Sequence, residues 1–389
     1  MVRARPESLS ELVQVMKSTA VGGLSLDIRA GGTKLGWLRP GRGADAVVEM
    51  ADLAGVVEHA HGDMTATAWA GTRWVDLQAE LARRGQRLAV DPPVGSEAEA
   101  TLGGVFAADD AGPGRLAYGS LRELVIGGTF VLPDGTVARS GGKVIKNVAG
   151  YDLCKLFCGS RGCLGVAASL TFRLHPICEA EASLRARVPE GEGARRALEL
   201  VTGALTPTGL TVQDETLLVR FEGESAFVET QLQVAEAQLR EVGLAAEAFH
   251  REASQSLWRA STERRRAGPG EVTLHVSTRP SRTGAILEHA RQLTGAETTD
   301  LRITSDPRVG SSLLHIRAAD LDALAQLITA LRAYALELRG HLRLRDGTPE
   351  LEARVDPFGP LPSAIEVMRA VKERLDPIGR CMPGRYLFT

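Results

Sequence analysis

The sequence predicts an α+β protein built in two parts, and three observations carry this. Glycine-rich turns follow short apolar runs at residues 31–36, 103–104 and 141–165. Such glycine loops vanish beyond residue 178, where strand and helix patterns alternate instead. That alternation runs twice in the order β-α-β-β-α-β, a ferredoxin-like duplication that gives a largely antiparallel sheet with helices on one face. A length of 389 residues suits two or three domains. The expected division is 1–178, with subdomains of about 1–52 and 53–178, then 179–362, then a closing helix and tail over 363–389.

The elements follow in order. Residues 7–19 place Leu9, Leu12, Val13, Val15 and Met16 on one helical face, with Ser8 or Ser10 as cap. Residues 24–30 form a strand that enters Gly31-Gly-Thr-Lys-Leu-Gly36. Such a junction suits a nest of backbone amides facing an anion; a plain hairpin turn is the alternative. The spacing is neither that of a Rossmann loop nor that of a P-loop. Residues 46–50 and 65–70 are strands, and residues 74–84 a helix ended by Gly85. Pro92 and Pro93 stiffen residues 88–95. Thr101 either caps a helix or offers its hydroxyl to a phosphate, and a helix N-terminus suits both. Residues 124–131 and 166–174 are strands; the first turns at Pro133-Asp-Gly135 and the second stops at Pro176. In the second part, helices are expected at 193–205, 225–242, 251–266, 282–293 and 320–338, with strands between them. Residues 364–375 read as an amphipathic helix.

Composition excludes several classes. A net charge of −2 argues against a nucleic-acid or membrane-surface binder. No run approaches the roughly 20 apolar residues of a membrane span. The first residues lack an apolar signal region, so cytoplasmic residence is expected. Five cysteines, an odd number, do not form a secreted disulfide framework. The gaps among Cys154, Cys158, Cys163 and Cys178 fit neither zinc nor iron–sulfur spacing. Cys154 and Cys158 share a helix face and read as small buried hydrophobes. Only six basic residues are lysine, and four of them (Lys34, Lys143, Lys146, Lys155) fall in the glycine-bearing stretches. Lysine ammonium groups there suit a phosphate as point charges.

Three stretches carry a family resemblance. Asn147-Val-Ala-Gly-Tyr-Asp-Leu153 with Gly159-Ser-Arg-Gly-Cys-Leu-Gly165, Ala100-Thr-Leu-Gly-Gly-Val-Phe-Ala-Ala108, and Arg115-Leu-Ala-Tyr-Gly119 resemble the FAD-binding domain of the vanillyl-alcohol-oxidase/p-cresol-methylhydroxylase (PCMH) flavoproteins. The likeness covers roughly residues 1–178, returns at the end of the chain, and is thin between. Within the family it looks most like the E-type FAD-binding subunits of bacterial glycolate oxidases. It implies a two-subdomain PCMH-type FAD-binding domain under a cap domain. The implied FAD contacts are Ala30, Gly31, Gly32, Thr33, Lys34, Leu35, Gly36, Pro92, Pro93, Thr101, Gly103, Gly104, Ala107, Tyr118, Gly119, Lys146, Gly162, Gly165 and Val166. Many members bond the flavin to a histidine in the first loop; that neighbourhood here is Gly32-Thr33-Lys34, so non-covalent FAD is implied. Met382 stands where an asparagine is usual, and Arg161 where relatives often have an acid.

A 2-hydroxy acid oxidase needs a carboxylate anchor, a base and a dry pocket. None of the eight histidines sits in the metal motif of the family's catalytic partner subunits. His275 and His315 occupy alternating strand positions and read as satisfied sheet histidines, with a pH-responsive role as the alternative. Tyr151 and Arg385 are the candidates on the substrate side, from motif position alone. The expectation is a flavin-bearing oxidoreductase subunit beside a larger catalytic FAD subunit and an iron–sulfur subunit, acting on a small 2-hydroxy acid. The alternatives are a free-standing FAD-dependent 2-hydroxy acid or sugar oxidoreductase, and a non-catalytic assembly subunit with a decayed flavin site. Contact with the inner face of a membrane is expected only through partners.

Overall fold

Apolar periodicity places the first helix against the first sheet. In the computed structural model, which describes residues 2–37, 43–95, 99–142, 150–189, 192–200, 205–294, 299–318 and 320–387, helix α1 spans Leu9–Val21. Ser8 caps it by accepting from the Glu11 amide. Leu12 and Met16 are wholly buried with Leu26 and Val48, each such burial stabilising by about 1.5–3 kcal/mol. The chain divides into two units.

The first unit comprises Met1–Ala111, Gly119–Ile177 and Pro360–Thr389. Strands β1 (Val2–Ala4), β2 (Leu26–Arg29) and β3 (Ala46–Glu49) form a parallel sheet in the order β1-β3-β2. An antiparallel sheet in the order β4-β5-β9-β7-β8 follows, from β4 (Val56–Ala60), β5 (Thr65–Trp69), β7 (Val125–Val131), β8 (Val137–Gly141) and β9 (Val166–Arg173). A short pair joins β6 (Gln86–Arg87) to β10 (His175–Pro176). Helices α2 (Trp74–Ala82), α3 (Leu102–Ala108), α5 (Leu121–Leu124) and α6 (Leu153–Phe157) supply the rest of the core with Phe130, Leu170 and Phe172. Residues 143–149, which include Lys143 and Lys146, lie outside the described residues.

The closing segment belongs to this first unit. Helix α13 (Ile365–Leu375) leads into a tail that pairs with β2: the Leu26 amide donates to Arg380 O at 2.7 Å, and the Met382 amide donates to Leu26 O at 2.8 Å. One buried ion pair locks the turn between them. Lys372 Nζ donates to Asp376 Oδ2 at 2.6 Å and to Cys163 O at 2.7 Å. Asp376 also accepts the amides of Arg380 (3.1 Å) and Cys381 (2.8 Å).

The second unit comprises Gly112–Tyr118, which holds the short helix α4 (Arg115–Tyr118), and Cys178–Gly359. It is the expected duplication. The first copy runs β11 (Ala180–Arg187), α7 (Gly193–Leu200), β12 (Gly209–Gln213), β13 (Thr216–Gly223), α8 (Ser225–Glu241) and β14 (Ala246–His250). After helix α9 (Arg251–Glu263), the second runs β15 (Val272–Ser277), α10 (Thr283–Thr294), β16 (Thr299–Asp306), β17 (Ser311–Ala318), α11 (Leu321–Glu337) and β18 (His341–Asp346), with a short α12 (Pro349–Glu352) after it. The order β14-β11-β13-β12-β16-β17-β15-β18 is the same four-strand pattern twice, joined through the second strand of each copy. Every pairing is antiparallel. Alternation sets the two faces: in β11, Ala182, Leu184 and Ala186 enter the core with α8, while Ser183 meets Ser254 and Trp258 of α9.

Candidate functional site

Four segments of the first unit meet at one groove. The loop after β2 is the first. Its Leu35 amide donates to Gly32 O at 3.1 Å and its Trp37 amide donates to Lys34 O at 3.2 Å, closing two turns. Gly32 has φ +72°, which favours glycine. Among the described residues, the amides of Gly31, Gly32 and Thr33 meet no protein acceptor. They form the nest that the sequence suggests.

Helix α3 is the second segment, and it behaves differently. The Leu102 amide donates to Thr72 O (2.9 Å), Gly103 to Ala70 O (2.7 Å) and Gly104 to Thr101 Oγ1 (3.2 Å). Thr101 is therefore the helix cap, and these first amides are already satisfied by the protein. A Cβ on Gly103 would lie 2.8 Å from Ala70 Cβ. The glycine there is demanded by the packing of α3.

The third segment, residues 159–166, docks on the end of α3. The Gly159 amide donates to Phe106 O (3.0 Å) and the Arg161 amide to Ala107 O (2.9 Å), so the loop satisfies the helix's terminal carbonyls. Gly162 and Gly165 have φ +80° and +137°, and Arg161 shares the left-handed region at 56°. The tail is the fourth: Met382 Sδ accepts the Ile28 amide at 2.9 Å, and Arg385 Nη1 donates to Leu35 O at 2.8 Å.

These segments enclose two adjoining cavities that share Ile28, Arg29, Ala30, Gly104, Ala107 and Arg161. Gly31, Gly32, Thr33, Lys34, Leu35 and Thr101 line the polar end with Met382 and Arg385. Gly103, Gly162, Gly165 and Val166 line the other end beside Met50, Phe106 and Phe157. Lys34 pairs with Asp110 at 3.3 Å, both side chains nearly buried. Trp37 is buried next to them. A nest with cations at one end and an apolar slot at the other suits a ligand carrying an anionic group and a flat ring system.

Other expected residues lie elsewhere. Gly36, Pro92, Pro93 and Gly119 do not line these cavities. Gly119 precedes the capping box of α5 formed by Ser120 and Glu123. Tyr118 belongs to the second unit, where its hydroxyl donates to Glu222 Oε2 at 3.3 Å. Tyr151 is 92% exposed. Lys146 falls outside the described residues. Spacing passed over Ile28, Met50, Phe106, Asp110 and Phe157, because their place at the groove depends on tertiary packing.

In the second unit, the His275 ring joins Ser311 Oγ (3.0 Å) and Arg343 Nε (3.2 Å). His315 joins Thr273 Oγ1 (3.0 Å), and burial pushes its pKa down to about 3, so it is neutral. Burial raises the Cys154 and Cys163 thiols to about 11 and Cys381 to about 12, which leaves them protonated and unreactive. Among the described residues, no group of three or more His, Cys, Asp or Glu side chains is placed to hold a metal.

Comparison with known proteins identifies a cofactor for the chain. Residues 2–141 match the family described as FAD binding domain. That stretch is an FAD-binding domain, and FAD is the cofactor. Glycolate oxidase subunit GlcE of Escherichia coli (strain K12) is 39% identical over 169 residues, 43% of this chain and 48% of that protein. That match spans about half the length of the relative. Glycolate oxidase subunit GlcD of Bacillus subtilis (strain 168) is 26% identical across 98% of this chain and 87% of that protein. D-lactate dehydrogenase [cytochrome] 1 of Saccharomyces cerevisiae is 32% identical over 45% of this chain and 30% of its own length. A solved alkyldihydroxyacetonephosphate synthase superposes with a TM-score of 0.74 at 16% identity, over 98% of this chain and 76% of that one. That likeness shows the fold. The chain thus resembles FAD-linked oxidoreductases.

Proposed function

We propose that this chain is the FAD-binding subunit of a glycolate-type 2-hydroxy acid oxidase or dehydrogenase complex. Its partners are a larger catalytic FAD subunit and an iron–sulfur subunit, and its compartment is the cytoplasm. The observation that carries this reading is the groove: among the described residues, a nest of unbonded amides with cations at one end and an apolar slot at the other. Ala30–Leu35 and Thr101 hold the diphosphate end, and Gly103, Gly104, Ala107, Gly162, Gly165 and Val166 hold the rest of the cofactor. FAD, when bound, supplies a two-electron acceptor. The chain's own residues bind and orient it and exclude water through Met50, Phe106 and Phe157. Among the described residues no His, Cys or Tyr lines the groove, which supports non-covalent binding. Of the two substrate-side candidates, Tyr151 faces solvent and Arg385 braces the loop carbonyl of Leu35. Among the described residues, no helix is long and apolar enough to cross a membrane.

Anaerobic mixing with glycolate tests the reading. The flavin of the isolated chain should stay oxidised, and should bleach only when the chain is in its complex. Rapid bleaching in the isolated chain would establish the free-standing 2-hydroxy acid or sugar oxidoreductase instead. A chain that remains colourless in excess FAD would leave the assembly subunit with a decayed site.

A further inference from the structure

We infer that Trp37 organises a two-cation clamp, made of Lys34 and Arg161, that takes the diphosphate of the bound dinucleotide. The inference rests on the FAD reading above and adds two residues, Trp37 and Arg161, to the binding machinery.

The geometry is specific. Lys34 Nζ and the Arg161 guanidinium each lie 5.7 Å from the centroid of the Trp37 indole. Both side chains line the polar end of the groove, and Arg161 lines both cavities. An indole face attracts cations, so one buried ring fixes two of them. Arg161 is further pinned by its backbone. Its amide donates to Ala107 O at 2.9 Å, and its Nη1 lies 3.5 Å from Trp37 O. Its φ of 56° is a strained conformation for a non-glycine residue. Such strain persists where the surroundings impose it, and it clusters at ligand clamps.

Charge points the same way. Asp110 offsets one of the two cations by pairing with Lys34 at 3.3 Å. Two further cations line the same end: Arg29, which is turned toward Asp27, and Arg385, which donates to Leu35 O. The unbonded amides of Gly31, Gly32 and Thr33 belong to the same loop and offer neutral donors to an anion. A diphosphate has enough oxygens to meet both cations and the nest together. Lys34 acts as a point charge and Arg161 as a planar fork. Trp37 is a positioning residue, since it acts through them.

The test is titration of the flavin-free chain with FAD at low and high sodium chloride, read by quenching of flavin fluorescence. At low salt, Arg161→Gln should weaken FAD by about ten- to a hundredfold, the loss of one charged hydrogen-bond set. The variant should also lose part of the parent's salt dependence, because one screened contact is gone. Arg161→Lys should restore the salt dependence and part of the affinity. Trp37→Leu should behave like Arg161→Gln, while Trp37→Phe, which keeps a ring face, should stay close to the parent. Far-UV circular dichroism checks that each variant is folded, and Arg161→Gln carries the test alone if Trp37→Leu is not. Unchanged affinity and unchanged salt dependence in Arg161→Gln would overturn the clamp. Absence of FAD binding by the parent would overturn the functional reading and the clamp with it.

Discussion

Replacing Asp376 by alanine should destabilise the first unit by about 3–5 kcal/mol, the range for breaking a buried ion pair. The Asp376 side chain is fully buried and Lys372 is 7% exposed, so solvent cannot take over either role. The carboxylate serves three donors: the Lys372 ammonium and the amides of Arg380 and Cys381. Its loss leaves a buried charge and two unsatisfied amides in one turn. That turn carries Met382 and Arg385 to the groove, so flavin should be lost along with stability. Replacing both partners by apolar residues, Lys372→Met with Asp376→Leu, should recover part of the loss, because no lone charge remains. Urea unfolding followed by flavin release measures both effects. An unshifted midpoint in Asp376→Ala would remove the pair from any part in holding the tail.

Gly31→Ala should have the second large effect. A Cβ there would sit 1.7 Å from Glu99 O and 2.6 Å from Glu99 C, both backbone atoms that cannot swing aside. The loop must move as a body, at a cost of about 3 kcal/mol or more. FAD occupancy should fall to near zero, since the displaced segment carries the free amides. Gly32→Ala is the control one residue away. Among the described residues its Cβ meets only Leu35 Cδ1 at 3.5 Å, so the strain the variant bears there is the left-handed φ of +72°. That strain costs about 1–2 kcal/mol. Equal flavin contents in the two variants would contradict the steric account.

Much of the architecture was legible because it rests on local patterns. The 3.6-residue stripe of α1, the strand entering Gly31-Gly32, and the doubled β-α-β-β-α-β rhythm are all encoded within short windows. The groove was legible for the same reason, as three glycine clusters. The physical role of each glycine was not. Gly31 and Gly103 are required by neighbouring chain at Glu99 and Ala70, whereas the 31–33 segment offers amides with no acceptor among the described residues. Spacing shows that a Cβ is unwelcome and cannot show what would meet it. Long-range partners were invisible throughout. Lys372 and Cys163 are 209 residues apart, and Trp37 meets Arg161 across 124. Tyr118 illustrates the limit of motif reading: it sits within a glycine-rich motif yet hydrogen-bonds to Glu222 in the second unit.

The central claim is that loops from three separated glycine segments hold one FAD without a covalent bond. The most direct measurement is flavin content after mixing the purified chain with excess FAD, gel filtration and acid precipitation. The account predicts a yellow protein carrying equimolar flavin, all of which passes into the acid supernatant. A colourless chain after gel filtration, or flavin retained in the acid pellet, would contradict it.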